Sequence, residues 1–206
     1  MIPLTDVIPK AMAPYHGSTL IANGIGKIAS RIEKIHITVG YKGAALAQHV
    51  IANNVSSVFN TEGRDNSWWI FNTVIKHLDE PIFVLTCDNV IDLDFDLLEK
   101  NYFDEGSPAC MLVPVKPVTG LEGDYIFHNN QLVTKLSRTE PADIYCSGIQ
   151  VLNPRRVNEL VVPQDNFYQV WQSLIEIQQL YSSRVYPKRW FTVDTMQQLA
   201  DVNKQV

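Results

Sequence analysis

Apolar residues recur at helical spacing through residues 18–32. Leu20, Ile21, Ile25, Ile28 and Ile32 fall on one face, and Ser18 stands as a candidate N-cap. The next segment, KIHITVG at 34–40, alternates as a half-buried strand does, and AALAQHVIAN at 44–53 reads as a second helix. A short strand is predicted over 55–59 and a helix over 67–78. The run IFVLT at 82–86, directly after Pro81, is continuously apolar, as in a strand buried on both faces of a parallel sheet.

After residue 109 the pattern changes. Strands are predicted at 109–115, 124–128, 131–136 and 145–152 with little helix between them, and HNNQ at 128–131 reads as a hairpin turn. A helix near 166–181, a strand ending near Val193 and a helix from Thr195 close the chain. The expected class is α/β: a Rossmann-like, mostly parallel sheet flanked by helices, followed by a β-rich substrate-binding second half.

A length of 206 residues with 46% hydrophobic content suits one sizeable core, so a single domain over 1–206 is expected. The net charge of -5 argues against a general nucleic-acid binder, which needs a basic face against phosphates. A bound nucleotide remains compatible, because one triphosphate needs only a few local cations, backbone amides and a metal. Cys87, Cys110 and Cys146 are far apart and form no CxxC, which favours free thiols in a reducing compartment. No basic-then-apolar signal and no apolar run of about 18 residues is present. A soluble, cytoplasmic protein without membrane contact is therefore expected.

In open parallel sheets ligands bind beyond the carboxyl ends of strands. Asp88 follows the apolar run in VLTCDNVIDLDFD, and Asp194 ends the strand in RWFTVDT. Two carboxylates brought together there would hold Mg²⁺ against a triphosphate, because hard cations prefer oxygen ligands. Asp after a strand is equally a turn former or a helix cap, so spacing alone leaves both readings open. Asp92, Asp94 and Asp96 read as solvated residues or caps for a helix at 95–101, and Trp68 and Trp69 as core. The five histidines show no ligand spacing, and no Ser/His/Asp arrangement is recognisable.

Five segments, in order, resemble the sugar-phosphate nucleotidyltransferase family. They are PLTDVIPKAMAPYHGSTLIANGI at 3–25, FVLTCDNVIDLDF at 83–95, GDYIFHNNQLVTKLSR at 123–138, YCSGIQVLNP at 145–154 and WFTVDTMQQLADVNK at 190–204. Within the family, the Gly-Asp-aromatic hairpin start and the Ser-Gly-Ile strand are most similar to N-acetylmuramate 1-phosphate uridylyltransferases. The Asp88-Asn89 pair is reminiscent of phosphocholine-type cytidylyltransferases.

The resemblance implies a nucleoside triphosphate and a sugar 1-phosphate as substrates, Mg²⁺ as cofactor, and an NDP-sugar and pyrophosphate as products, for cell-envelope or capsule polysaccharide. By position, Lys10 would contact the triphosphate and Asp88 would bind Mg²⁺, with Asp194 as a second metal ligand. Arg138 would hold the sugar phosphate, on the substrate side formed by Asp124 and Gly148.

Three departures qualify this picture. The family opens with a strand and a glycine-rich loop just before the PLT-like stretch, and Met1 stands where that loop's last residue falls; the expectation is that Met1 is internal. Trp68 and Trp69 lie near the family's base-contacting glycines. Thr192 aligns with the second metal position, with Asp194 two residues on, where an extended strand puts both on one face. The competing readings are a cytidylyltransferase acting on phosphocholine or a similar phosphorylated alcohol, and a non-catalytic relative that only binds ligand or partner.

Overall fold

A computed structural model of the protein describes residues 1–118, 121 and 123–204. Its helices are α1 (Leu4–Val7), α2 (Leu20–Ile28), α3 (Gly43–Ile51), α4 (Trp68–Asn72), α5 (Phe95–Asp104), α6 (Pro154–Leu160), α7 (Phe167–Glu176) and α8 (Met196–Lys204). Its strands are β1 (Pro14–Tyr15), β2 (Ser18–Thr19), β3 (His36–Val39), β4 (Ser57–Asn60), β5 (Ile82–Val84), β6 (Asn89–Asp92), β7 (Cys110–Val115), β8 (Tyr125–Asn129), β9 (Leu132–Ser137), β10 (Tyr145–Leu152), β11 (Leu180–Ser182) and β12 (Arg189–Thr192). Within the single span expected from length, the chain packs as two compact units. One comprises Met1–Arg64, Cys87–Ile91 and Phe191–Val206, the other Asp65–Thr86 and Asp92–Trp190.

The first unit contains the predicted strand–helix–strand alternation. β3 and β4 pair in parallel, His36 opposite Ser57 and Val39 opposite Asn60, with α3 as the crossover between them. Ile21 and Ile25 of α2 pack with Val39, Leu46 and Val50, so the periodic face read from the sequence is the buried one. The cap of α2 is Thr19, not Ser18: its extended backbone lets the side-chain oxygen accept from the Ala22 N–H at 3.1 Å. Before α3 the chain passes through Lys42 in the left-handed region, φ 53°. The Lys42 ammonium donates to the carbonyls of Asp6 at 2.6 Å and Val7 at 3.2 Å, and the Tyr41 hydroxyl donates to the Thr5 carbonyl at 3.1 Å. These bonds satisfy carbonyls that the short α1 leaves without an intrahelical partner.

The second unit is built on a six-stranded sheet in the order β5-β10-β7-β11-β9-β8. It is mostly antiparallel, which corrects the expected mostly parallel Rossmann-like sheet. Within it β11 runs parallel to β7, whereas β10 is antiparallel to β5, β7 and β8, and β9 to β8 and β11. The apolar run at 82–86 misled because an apolar pattern reports burial and not direction. β5 is an edge strand, half-buried along its length and antiparallel to β10.

The hairpin read from HNNQ is present, with Asn130 (φ 49°) and Gln131 (φ 70°) both left-handed, as a two-residue turn requires. The helix expected to reach 181 ends at Glu176. Gln178 turns the chain at φ 58°, and Leu180–Ser182 becomes β11.

The core of this unit gathers Leu112, Ile126, Val133, Leu152, Val170, Trp171, Leu174 and Leu180, with Trp69 packed against it. Trp69 meets Phe167 edge-on at 6.3 Å, consistent with a core side chain. Gln150 is buried but satisfied, its Oε1 accepting from Trp171 Nε1 at 2.9 Å and Cys110 Sγ at 3.1 Å. Asp94 caps α5 through the Leu97 N–H at 3.0 Å, as read from the sequence. All three cysteines are free thiols. Among the described residues, no helix is long and apolar enough to cross a membrane.

Leu174 is fully buried in this core. Leu174→Ala is expected to lower the unfolding free energy by about 2–5 kcal/mol, from lost transfer energy and the residual cavity. Urea denaturation of the two proteins checks this.

Candidate active site

Lys10 opens a 3-10 turn over Lys10–Met12, directly after Pro9. The flanking Ala11 and Ala13 are 3% and 0% exposed, and each belongs to a different apolar cluster of the first unit. This double anchorage fixes the turn and leaves the Lys10 side chain as its polar projection. Asp88 lies in the turn before β6, and Asp194 in the two-residue stretch after β12 and before the cap of α8. The Val193 N–H donates to the Asp88 carbonyl at 2.9 Å, which locks these turns side by side.

The three charged groups meet. The Lys10 ammonium donates to Asp88 Oδ2 at 2.7 Å and to Asp194 Oδ1 at 2.5 Å. All three side chains are partly open to solvent, at 30%, 26% and 51% exposure for Lys10, Asp88 and Asp194. Burial works against the charge on Lys10, but the hydrogen bonds to Asp194 and Asp88 outweigh it and raise its pKa above 10.5. Burial likewise works to raise the pKa of Asp194, and the hydrogen bonds from Lys10 and Thr192, with the Lys10 charge, prevail and hold it below 3.8.

Two supports of Asp194 went unrecognised in the sequence. The Thr192 hydroxyl donates to Asp194 Oδ2 at 2.8 Å, so the residue aligned with a metal ligand instead orients its neighbour. Gln198 Oε1 accepts from the N–H groups of Asp194 and Thr195 at 2.8 and 2.9 Å, while the Gln198 N–H donates to Thr195 Oγ1 at 3.1 Å. That is a capping box at the start of α8, and its T-x-x-Q spacing over 195–198 was the available signal.

The donor set is compatible with Mg²⁺. Among the described residues no group of three His, Cys, Asp or Glu forms a complete metal cage. A pair of carboxylates is nonetheless the protein contribution expected where substrate phosphates and water supply the remaining oxygens.

The other sequence-predicted residues lie in the second unit. Asp124 and Arg138 are brought together, Arg138 Nε to Asp124 Oδ1 at 2.9 Å, with the guanidinium also 5.7 Å from the centre of the Tyr168 ring. Gly148 has φ 83° and sits where the β10–β7 register shifts between Cys146 and Gln150, a bulge that demands the left-handed region. Gly123 is required by close approach, since a Cβ there would lie 2.5 Å from Cδ2 of Tyr145. Tyr125, Tyr145 and Trp190 pack edge-to-face with centroids 6.0 Å apart along the series.

The fold defined by these elements is that of the nucleotidyltransferases. A structure assigned as a glucose-1-phosphate thymidylyltransferase from Bacillus anthracis superposes with a TM-score of 0.79 at 14% identity, covering 99% of this chain and 89% of that one. The inositol-1-phosphate CTP transferase of T. maritima gives 0.74 at 15% identity, over 98% and 91%. The CTP:phosphocholine cytidylyltransferase of Streptococcus pneumoniae gives 0.72 at 18%, over 99% and 92%. In sequence, the chain is 26% identical over 94 residues to the bifunctional protein GlmU of Methanococcus aeolicus, a match spanning 46% of this chain and 23% of that protein. No family model matches the chain.

The charge cluster has a defined pH signature. Asp194 has a lower pKa folded than unfolded, so its contribution to stability is present above about 3.8 and is lost as pH falls through the depressed folded value. The Lys10 contribution is present below about 10.5 and is lost as pH rises through its raised folded value. Lys10→Met is expected to shift the Asp194 carboxyl titration, followed by carbon-detected NMR, to higher pH. An unchanged Asp194 titration would contradict the ion pair.

Proposed function

We propose that the protein is a nucleotidyltransferase that joins a nucleoside triphosphate to a sugar 1-phosphate, giving an NDP-sugar and pyrophosphate. The observation that carries this reading is the meeting of Lys10, Asp88 and Asp194 in a chain whose fold follows nucleotidyltransferases over nearly its whole length.

The reaction is an in-line attack by a phosphate oxygen of the acceptor on the α-phosphorus, with pyrophosphate leaving. No protein nucleophile is required. The protein's task is to bring two mutually repelling anions together and to neutralise charge as it moves to the leaving group. Asp88 and Asp194 would hold Mg²⁺, which when bound supplies charge neutralisation at the phosphate oxygens. Lys10 would donate to the triphosphate. Arg138 would present its donor fork to the acceptor phosphate, with Asp124 orienting the guanidinium through their ion pair. Gly148 would keep the backbone of β10 close to the sugar, at the bulge its positive φ permits.

The alternative acceptor is a phosphorylated alcohol such as phosphocholine, and the aromatic series in the second unit is the feature that bears on it. A quaternary ammonium needs open ring faces. Tyr145 is 3% exposed, its rim is packed by Tyr125 and Trp190, and its hydroxyl accepts from the Val118 N–H at 3.4 Å. Tyr145 thus presents no open face for a cation, and the Asp124 carboxylate beside Arg138 is the kind of polar partner that suits sugar hydroxyls. The sugar acceptor is therefore favoured.

The test is pyrophosphate release by the full-length protein with Mg²⁺, across the four common nucleoside triphosphates and a panel of sugar 1-phosphates, with phosphocholine included. Turnover with a sugar 1-phosphate is expected, and Asp88→Ala should lower it by at least about a hundredfold. Turnover unaffected by Asp88→Ala would sink the metal assignment, and turnover with phosphocholine alone would replace the acceptor.

A further inference from the structure

Both roles proposed for the cluster compete for the same atoms. Asp88 Oδ2 and Asp194 Oδ1 are already taken by the Lys10 ammonium at 2.7 and 2.5 Å. A magnesium ion on those oxygens would sit about 2.0–2.1 Å from each, leaving no room for an ammonium between them. We propose that Lys10 is the resident counter-ion of Asp88 and Asp194, and that it yields this place to a divalent cation only when a triphosphate offers it a new anion. The inference rests on the transferase reading for the identity of that anion. It deepens the reading by assigning an order: the metal is captured together with the nucleotide and not before it.

The physical argument is one of exchange. Without Lys10 two carboxylates would face each other across a partly desolvated gap, and each would favour protonation or a cation. With it the net charge of the trio falls from -2 to -1, and a free metal ion must displace a partly buried ammonium from both carboxylates. A triphosphate removes that penalty, because its oxygens take over the Lys10 hydrogen bonds.

The backbones of both aspartates, and the Asp194 carboxylate, have supports that do not involve Lys10. The Asp194 carboxylate is held by Thr192 and its backbone N–H by Gln198, and the Asp88 carbonyl by Val193. Lys10 is the mobile member: its backbone is fixed by Ala11 and Ala13, but its side chain is a long, flexible stem with three rotatable donors.

The measurement is Mn²⁺ binding to the full-length protein without nucleotide, read from the electron paramagnetic resonance signal of the free ion. The wild type is expected to bind weakly. Lys10→Met and Lys10→Gln should bind Mn²⁺ about tenfold or more tightly than the wild type, since the competing cation is gone. Lys10→Arg, which keeps the charge, should stay near the wild type. Adding Asp88→Asn to Lys10→Met should erase the gain. Lys10→Gln carries the test should Lys10→Met fail to fold.

Absence of any gain in the neutral variants, or a gain that survives Asp88→Asn, would overturn the proposal. The readout is independent of turnover. A wild type that releases no pyrophosphate, together with the gain in Lys10→Met, would reject the transferase reading and keep the counter-ion role.

Discussion

Two aspartates on adjacent turns repel, and a fold that brings them together must supply a positive charge. In this protein Lys10 supplies it, with one hydrogen bond to each carboxylate. The rest of the first unit can be understood as the means of keeping that arrangement. The Val193–Asp88 backbone bond joins the turns, and Thr192 and Gln198 fix the geometry of Asp194. Exposed ion pairs contribute little to stability, so the cluster's worth is not in holding the fold together. On the function proposed, its worth lies in placing one cation and two anions where a metal–nucleotide would meet them.

Support for Lys10 reaches further back along the chain. Ala11 and Ala13 plug two apolar clusters, so the turn bearing Lys10 cannot drift without opening both. The segment before it is tied down by Tyr41 and Lys42, which bond to the carbonyls of Thr5, Asp6 and Val7. Lys42 accepts a left-handed backbone to do this, a conformation that costs a side-chain-bearing residue some strain. The loop after β3 thus has a structural duty toward the site without being part of it.

Much of this was legible in the residues. The helical faces of α2 and α3, the cap at Asp94 and the hairpin turn at Asn130 and Gln131 followed from local rules of periodicity and turn chemistry. Asp88 and Asp194 stood out because they follow strand patterns. What local rules do not carry is pairing. IFVLT would be apolar both at the edge of an antiparallel sheet and inside a parallel one, so its pattern does not specify the direction of β5. β11 does not stand apart from the preceding helix in the sequence, because three residues are too few to show a period. The bridge made by Lys10 was beyond reach for the same reason: nothing within a ten-residue window says which carboxylates an ammonium will meet.

On the function proposed, the place Lys10 occupies between Asp88 and Asp194 is where nucleotide and metal would be received. A crystal structure of the full-length protein with Mg²⁺ and a non-hydrolysable nucleoside triphosphate tests it most directly. The expected result is the metal on Asp88 and Asp194 and the Lys10 ammonium moved onto a phosphate oxygen. A nucleotide bound with Lys10 still bridging both carboxylates, or with its metal held by other residues, would contradict it.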